Sequence, residues 1–90
     1  METIESLYEN ATEEFQIAAE ETEGNTVYAS DDREAARAEV DKLQDFYKSV
    51  VDGTGYEQSV REEVRRRAGG RVRELVNAMA ALEEKALEHD

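Results

Sequence analysis

Apolar residues recur at spacings of three and four along most of this chain, and no proline interrupts them. That combination restricts the fold more than any other feature. A period near 3.6 gathers apolar side chains on one face of an α-helix, and without proline nothing enforces a break. Ile4, Leu7, Tyr8, Ala11, Phe15, Ala18 and Ala19 make a first stripe, with Ile17 on the opposite face. Ala36, Val40, Leu43, Phe46, Tyr47, Val50 and Val51 make a second. Ala68, Val72, Leu75, Met79, Leu82 and Ala86 alternate spacings of four and three, the pattern of a short coiled-coil seam.

Punctuation between the stripes sets the helix ends. Glu23-Gly24-Asn25 suits a helix stop, because glycine and asparagine tolerate the left-handed conformation. Thr26-Val27-Tyr28-Ala29 reads as a short extended connector, and Ser30-Asp31-Asp32 offers N-caps, with Asp31 and Glu34 spaced like a variant capping box. Asp52-Gly53-Thr54-Gly55 is a flexible turn. Thr54 with Glu57, or Ser59 with Glu62, supplies the next capping box. The patterns predict helices over approximately 3–23, 31–51 and 56–88 within one helical domain, 1–90. The expected class is all-α, a small up-down-up three-helix bundle, about three-quarters helical and without sheet.

Ninety residues suit one domain with a modest core. The absence of cysteine excludes disulfides and thiolate metal sites. No apolar run approaches the roughly 18 residues of a membrane span, and METIESLYEN lacks the layout of a secretory signal. A cytoplasmic protein that does not engage membranes is the expectation. Twenty-three acidic residues against eleven basic ones give a formal net charge of −12, which disfavours direct binding to nucleic acid or anionic lipid.

Six of the eleven bases lie within REEVRRRAGGRVR, residues 61–73, around Gly69-Gly70. Glu57 and Arg61, Glu62 and Arg66, and Glu63 and Arg67 are four apart with glutamate first, and Arg71 and Glu74 are three apart. Such pairs contribute about 0.2–0.5 kcal/mol each, so structural neutralisation is the plain reading of the cluster. Arg65, Arg66, Arg67, Arg71 and Arg73 are the candidates for holding an acidic partner or an anion. The glycine pair either ends a helix or sits in a continuous, kinked one, where a neighbouring backbone comes close. Two mid-helix glycines cost about 2 kcal/mol relative to alanine. A break would place Arg71 and Arg73 at the positive start of a new helix, which favours continuity.

A third helix of that length reaches roughly 50 Å, against about 30 Å for the others. Its C-terminal half is therefore expected to overhang. The seam Leu75, Met79, Leu82 and Ala86, widened by Leu87, becomes a candidate self-association surface, which a symmetric homodimer would cover.

No specific chemistry emerges. His89, the only histidine, sits beside the C-terminus; Ser6, Ser30, Ser49 and Ser59 have no evident base partner. The glutamate pairs Glu13-Glu14 and Glu20-Glu21 lack the Glu-x-x-His spacing of bundle di-metal sites. The sequence therefore predicts no enzyme, cofactor or metal. It predicts a non-catalytic protein–protein interaction module, an acidic bundle binding a partner protein or itself. The alternatives are an acidic nucleic-acid mimic that inhibits a nucleic-acid-binding protein, and a helical protein binding a small anionic ligand.

Overall fold

A computed structural model describes residues 2–88. Three helices, α1 (Glu2–Glu23), α2 (Ala29–Val51) and α3 (Gln58–Glu88), form an up-down-up bundle. They account for 87 % of the described residues, above the expected share, and no strand occurs among them. The molecule is a rod of 46 × 21 × 17 Å.

Helix α1 ends in a Schellman turn. Thr26 N–H donates to the Glu21 carbonyl at 3.1 Å and Asn25 N–H to the Thr22 carbonyl at 3.1 Å, the two bonds that define the motif. Asn25 takes the left-handed conformation, with φ 53°, while Gly24 does not. The Thr26 hydroxyl also bonds the Glu21 carboxylate. Because this turn reverses the chain so quickly, α2 begins earlier than the sequence predicts. Tyr28 is its N-cap, without a side-chain bond, and residues 29–30 are already helical. The expected capping by Ser30 or Asp31 is thus corrected. Asp31 and Asp32 lie in the first turn instead, where their charge complements the dipole. Across the connector, Arg33 Nη1 donates to Thr22 Oγ1 at 2.9 Å. Thr22 is a buried polar residue, and that bond satisfies it.

Helix α2 closes with Asp52 N–H donating to the Lys48 carbonyl at 2.9 Å. A Cβ at Gly53 would collide with the Ser49 carbonyl oxygen, so the chain leaves the helix there only because that residue has no side chain. Helix α3 starts at Gln58, with Arg61 N–H bonded to the Glu57 carbonyl at 3.0 Å. Neither expected capping box forms. Thr54 stays in the turn and Ser59 is inside the helix, while Glu62 accepts a bond from Gln58 at 3.1 Å.

Through Gly69 and Gly70 the helix is uninterrupted over 31 residues. The two glycines differ. A Cβ on Gly69 would lie 2.8 Å from the Tyr47 hydroxyl oxygen of α2, whereas one on Gly70 would meet nothing within 4 Å. What comes close is therefore a phenol tip, not the neighbouring backbone that the sequence suggested. Gly70→Ala is expected to stabilise the fold by about 1 kcal/mol, or roughly 4–8 °C in Tm for a domain of this size. Gly69→Ala should gain clearly less, because the Tyr47 hydroxyl must move. Thermal melts check this; equal stabilisation at both sites would contradict the contact.

Ala11, Ala18, Ala36, Val40, Leu43 and Met79 are fully enclosed in the core. Three of these are alanines on α1 and α2, and small side chains let helices approach closely. Helix α1 indeed packs most extensively on α2 and least on α3. Helices α2 and α3 run antiparallel, with Arg37 beside Glu83, Tyr47 beside Gly69 and Val51 beside Arg65.

The length mismatch resolves in the opposite sense to the expectation. Leu75, Met79, Leu82 and Ala86 are all buried within the single chain. Only Leu87 of the predicted self-association stripe is exposed, at 74 %. The reason is register: Ala86 reaches the α1–α2 connector, while Ile4 near the start of α1 lies level with Val64. The uncovered part is therefore the first turn of α3. There Val60, with Tyr56 just before the helix, rims an apolar recess floored by Ile4, Val50 and Val64.

Candidate functional site

Six arginines adjacent in sequence point three ways around α3. Arg61 and Arg65 turn toward the end of α2. Arg65 Nη2 donates to the Val51 carbonyl and Arg61 Nη1 to the Gly53 carbonyl, each at 3.4 Å. These carbonyls close the negative end of α2, where cations are favourable. Arg66 and Arg73, seven residues apart, share the exposed outward face and make no ion pair among the described residues. Arg67 and Arg71 turn toward α1. The five arginines expected to hold an acidic partner or an anion thus face different directions, and only Arg67 and Arg71 border the same groove.

Of the intrahelical pairs expected to neutralise them, Glu63 and Arg67 form one, at 2.9 Å. Both side chains are largely exposed, at 45 % and 66 %, so the pair contributes little. Arg61 prefers backbone carbonyls to Glu57, Glu62 bonds Gln58, and Arg71 is drawn away from Glu74. Its guanidinium carbon stands 6.0 Å from the centroid of the Tyr8 ring, the outer range of a cation–π contact.

Between α1 and α3 these side chains border a half-open groove of about 490 Å³. Its floor is Ile4 and Tyr8 from one helix and Ala68 and Val72 from the other. Glu5 and Glu9 form an acidic wall on α1; Arg67 and Arg71 form a basic wall on α3. All four wall residues are exposed. The groove exists because α1 gives most of its apolar face to α2, leaving its contact with α3 narrow.

Over residues 1–84 the chain matches the family described as Embryogenesis-like protein helical domain. The chain belongs to that family. No curated protein and no solved structure matches it. For this embryogenesis-like helical domain, the family description agrees with the fold, all helix, and assigns no partner or reaction.

Sequence reasoning missed the strongest polar link in this helical domain. Arg37 of α2 grips Glu83 of α3 with two bonds: Nε donates to Oε2 at 2.9 Å, and Nη2 to Oε1. Asp41 accepts a third bond from Nη1 at 3.2 Å. The Glu83 carboxyl is held below its ordinary range, chiefly by the Arg37 hydrogen bond, and the guanidinium is pushed further above its own. The partners are 46 residues apart, so no local spacing announces them. The link fixes α3 on α2 and stands away from the groove.

No group of three or more histidine, aspartate or glutamate residues able to hold a metal occurs among the described residues. No described helix is long and apolar enough to cross a membrane. His89, set aside as a catalytic residue on sequence grounds, lies outside the described residues.

Proposed function

We propose that the domain is a non-catalytic protein–protein interaction module that works through the α1–α3 groove. One observation carries the reading: a half-buried apolar floor is bordered by a carboxylate row on one side and a guanidinium row on the other. An apolar centre with a charged rim is the common anatomy of a protein interface. Charges of both signs select orientation and exclude wrong partners more than they add affinity. A site for a small anion is less well served, because Glu5 and Glu9 stand opposite the arginines and would repel it.

The test compares two charge reversals of equal size on different faces. Tagged domain carrying Arg67→Glu and Arg71→Glu is used as bait in a lysate of its own cells, beside unmodified domain and an Arg66→Glu, Arg73→Glu control. Protein retained by the unmodified and control baits but lost from the groove variant is the expected result. Identical capture by all three baits would remove the groove from the interaction.

A further inference from the structure

The charge pattern of the groove selects its occupant. We propose that a second copy of this chain closes the α1–α3 groove about a two-fold axis parallel to the helices. Glu5 and Glu9 of each copy then face Arg67 and Arg71 of the other. The inference rests on the groove being an interaction surface.

Two walls of opposite charge border the groove. Each consists of residues four apart on a helix, so each row spans about 6 Å. Helices α1 and α3 run the same way in an up-down-up bundle, and both rows border one groove at one level. A face carrying two parallel rows of opposite sign is complementary to its own copy, as an isologous interface requires.

Two orientations of a face-to-face pair are then possible. An in-plane axis across the helices sets α1 on α1. That helix has eight glutamates and no basic residue, so like charge would meet like along its length. An axis parallel to the helices sets α1 on α3 and keeps residue heights, bringing each acidic row to a basic one. Charge therefore selects the second arrangement. In it, like ends of the two rods lie together.

The wall side chains are available for such an exchange. Glu5, Glu9 and Arg71 make no ion pair within the chain among the described residues. Arg67 has only its exposed pair with Glu63, which is easily traded. The floor contributes apolar area from Tyr8 and Ala68, both half-buried in the single chain. One opposing effect is general: each copy carries −12, and two such bodies repel at long range. Salt screens this, with a Debye length of about 8 Å at 0.15 M and 3 Å at 1 M, whereas close desolvated pairs are screened less. Association should tighten as salt rises.

Sedimentation equilibrium of the full chain at micromolar concentration, in about 0.15 M and 1 M salt, makes the first measurement. A dimer, tighter in the higher salt, is expected. Arg67→Glu with Arg71→Glu makes both walls acidic, and Glu5→Arg with Glu9→Arg makes both basic. Each variant alone should dimerise about 10-fold or more weakly, the two mixed should form a one-to-one heterodimer, and the fourfold swap should recover the homodimer. Circular dichroism reports whether each variant folds. If either double variant does not, Arg67→Gln with Arg71→Gln and the fourfold swap still decide the matter. A monomer at both salt concentrations overturns the proposal, as does a dimer that the double variants leave unchanged. A monomer whose groove variant still loses a captured protein would overturn the second copy as occupant and leave the interaction reading intact.

Discussion

Leu82→Glu is expected to unfold the chain. Leu82 is 9 % exposed and belongs to the core cluster that includes Leu75 and Met79. Removing the leucine forfeits about 1.5–3 kcal/mol of burial. A carboxylate in its place adds a desolvation penalty of several kcal/mol, because no cation is committed to it. Arg37, the cation bound to the adjacent residue Glu83, is already held by Glu83 and Asp41. Against a total stability of roughly 5–13 kcal/mol for ninety residues, the two losses together leave little folded population. Loss of the helical circular dichroism signal at 25 °C is the expected outcome. A folded variant with a near-normal melt would show that Leu82 lies outside the core.

Leu43→Ala should cost less but remain large. Leu43 has no exposed surface and is among the three largest fully enclosed side chains, with Met79 and Val40. Deleting a buried leucine costs about 2–5 kcal/mol, the upper end when the walls cannot collapse into the space. Three of the other fully enclosed core residues, Ala11, Ala18 and Ala36, are alanines, which have no side-chain length with which to fill a void. The upper half of that range is therefore expected. At roughly 4–8 °C per kcal/mol, Tm should fall by more than about 15 °C. A loss below about 1 kcal/mol would mean that the helices close around the space.

Helix number and order were legible because burial is periodic: residues of all three stripes, among them Ile4, Ala11, Ala18, Val40, Leu43, Val72 and Met79, are core. Boundaries were less legible. The chain reverses at Asn25 through backbone bonds from Asn25 to Thr22 and from Thr26 to Glu21, and these let α2 start without a side-chain cap. Register between helices was not legible at all. It decides that Ala86 meets the α1–α2 connector, and so that the seam from Leu75 to Ala86 is covered within the chain. The arginines were the hardest case. Arg61 and Arg65 satisfy backbone carbonyls, acceptors that every residue carries and no sequence pattern marks. The sequence showed where the charge is concentrated, while the three directions in which it points follow from which neighbour each turn of α3 faces.

An odd number of helices has a mechanical consequence. Helix α1 starts near one end of the 46 Å rod and α3 finishes at the other. Tension applied through those two ends would load α3 along its axis and shear it against α2. The link between Arg37 and Glu83 lies near the far end of that contact, and the Arg61 and Arg65 bonds to α2 lie near its start. Polar fastenings thus stand at both ends of the α2–α3 contact, and sliding by one helical turn would break them together. A bundle with two or four helices would bring its termini to the same end and feel no such shear.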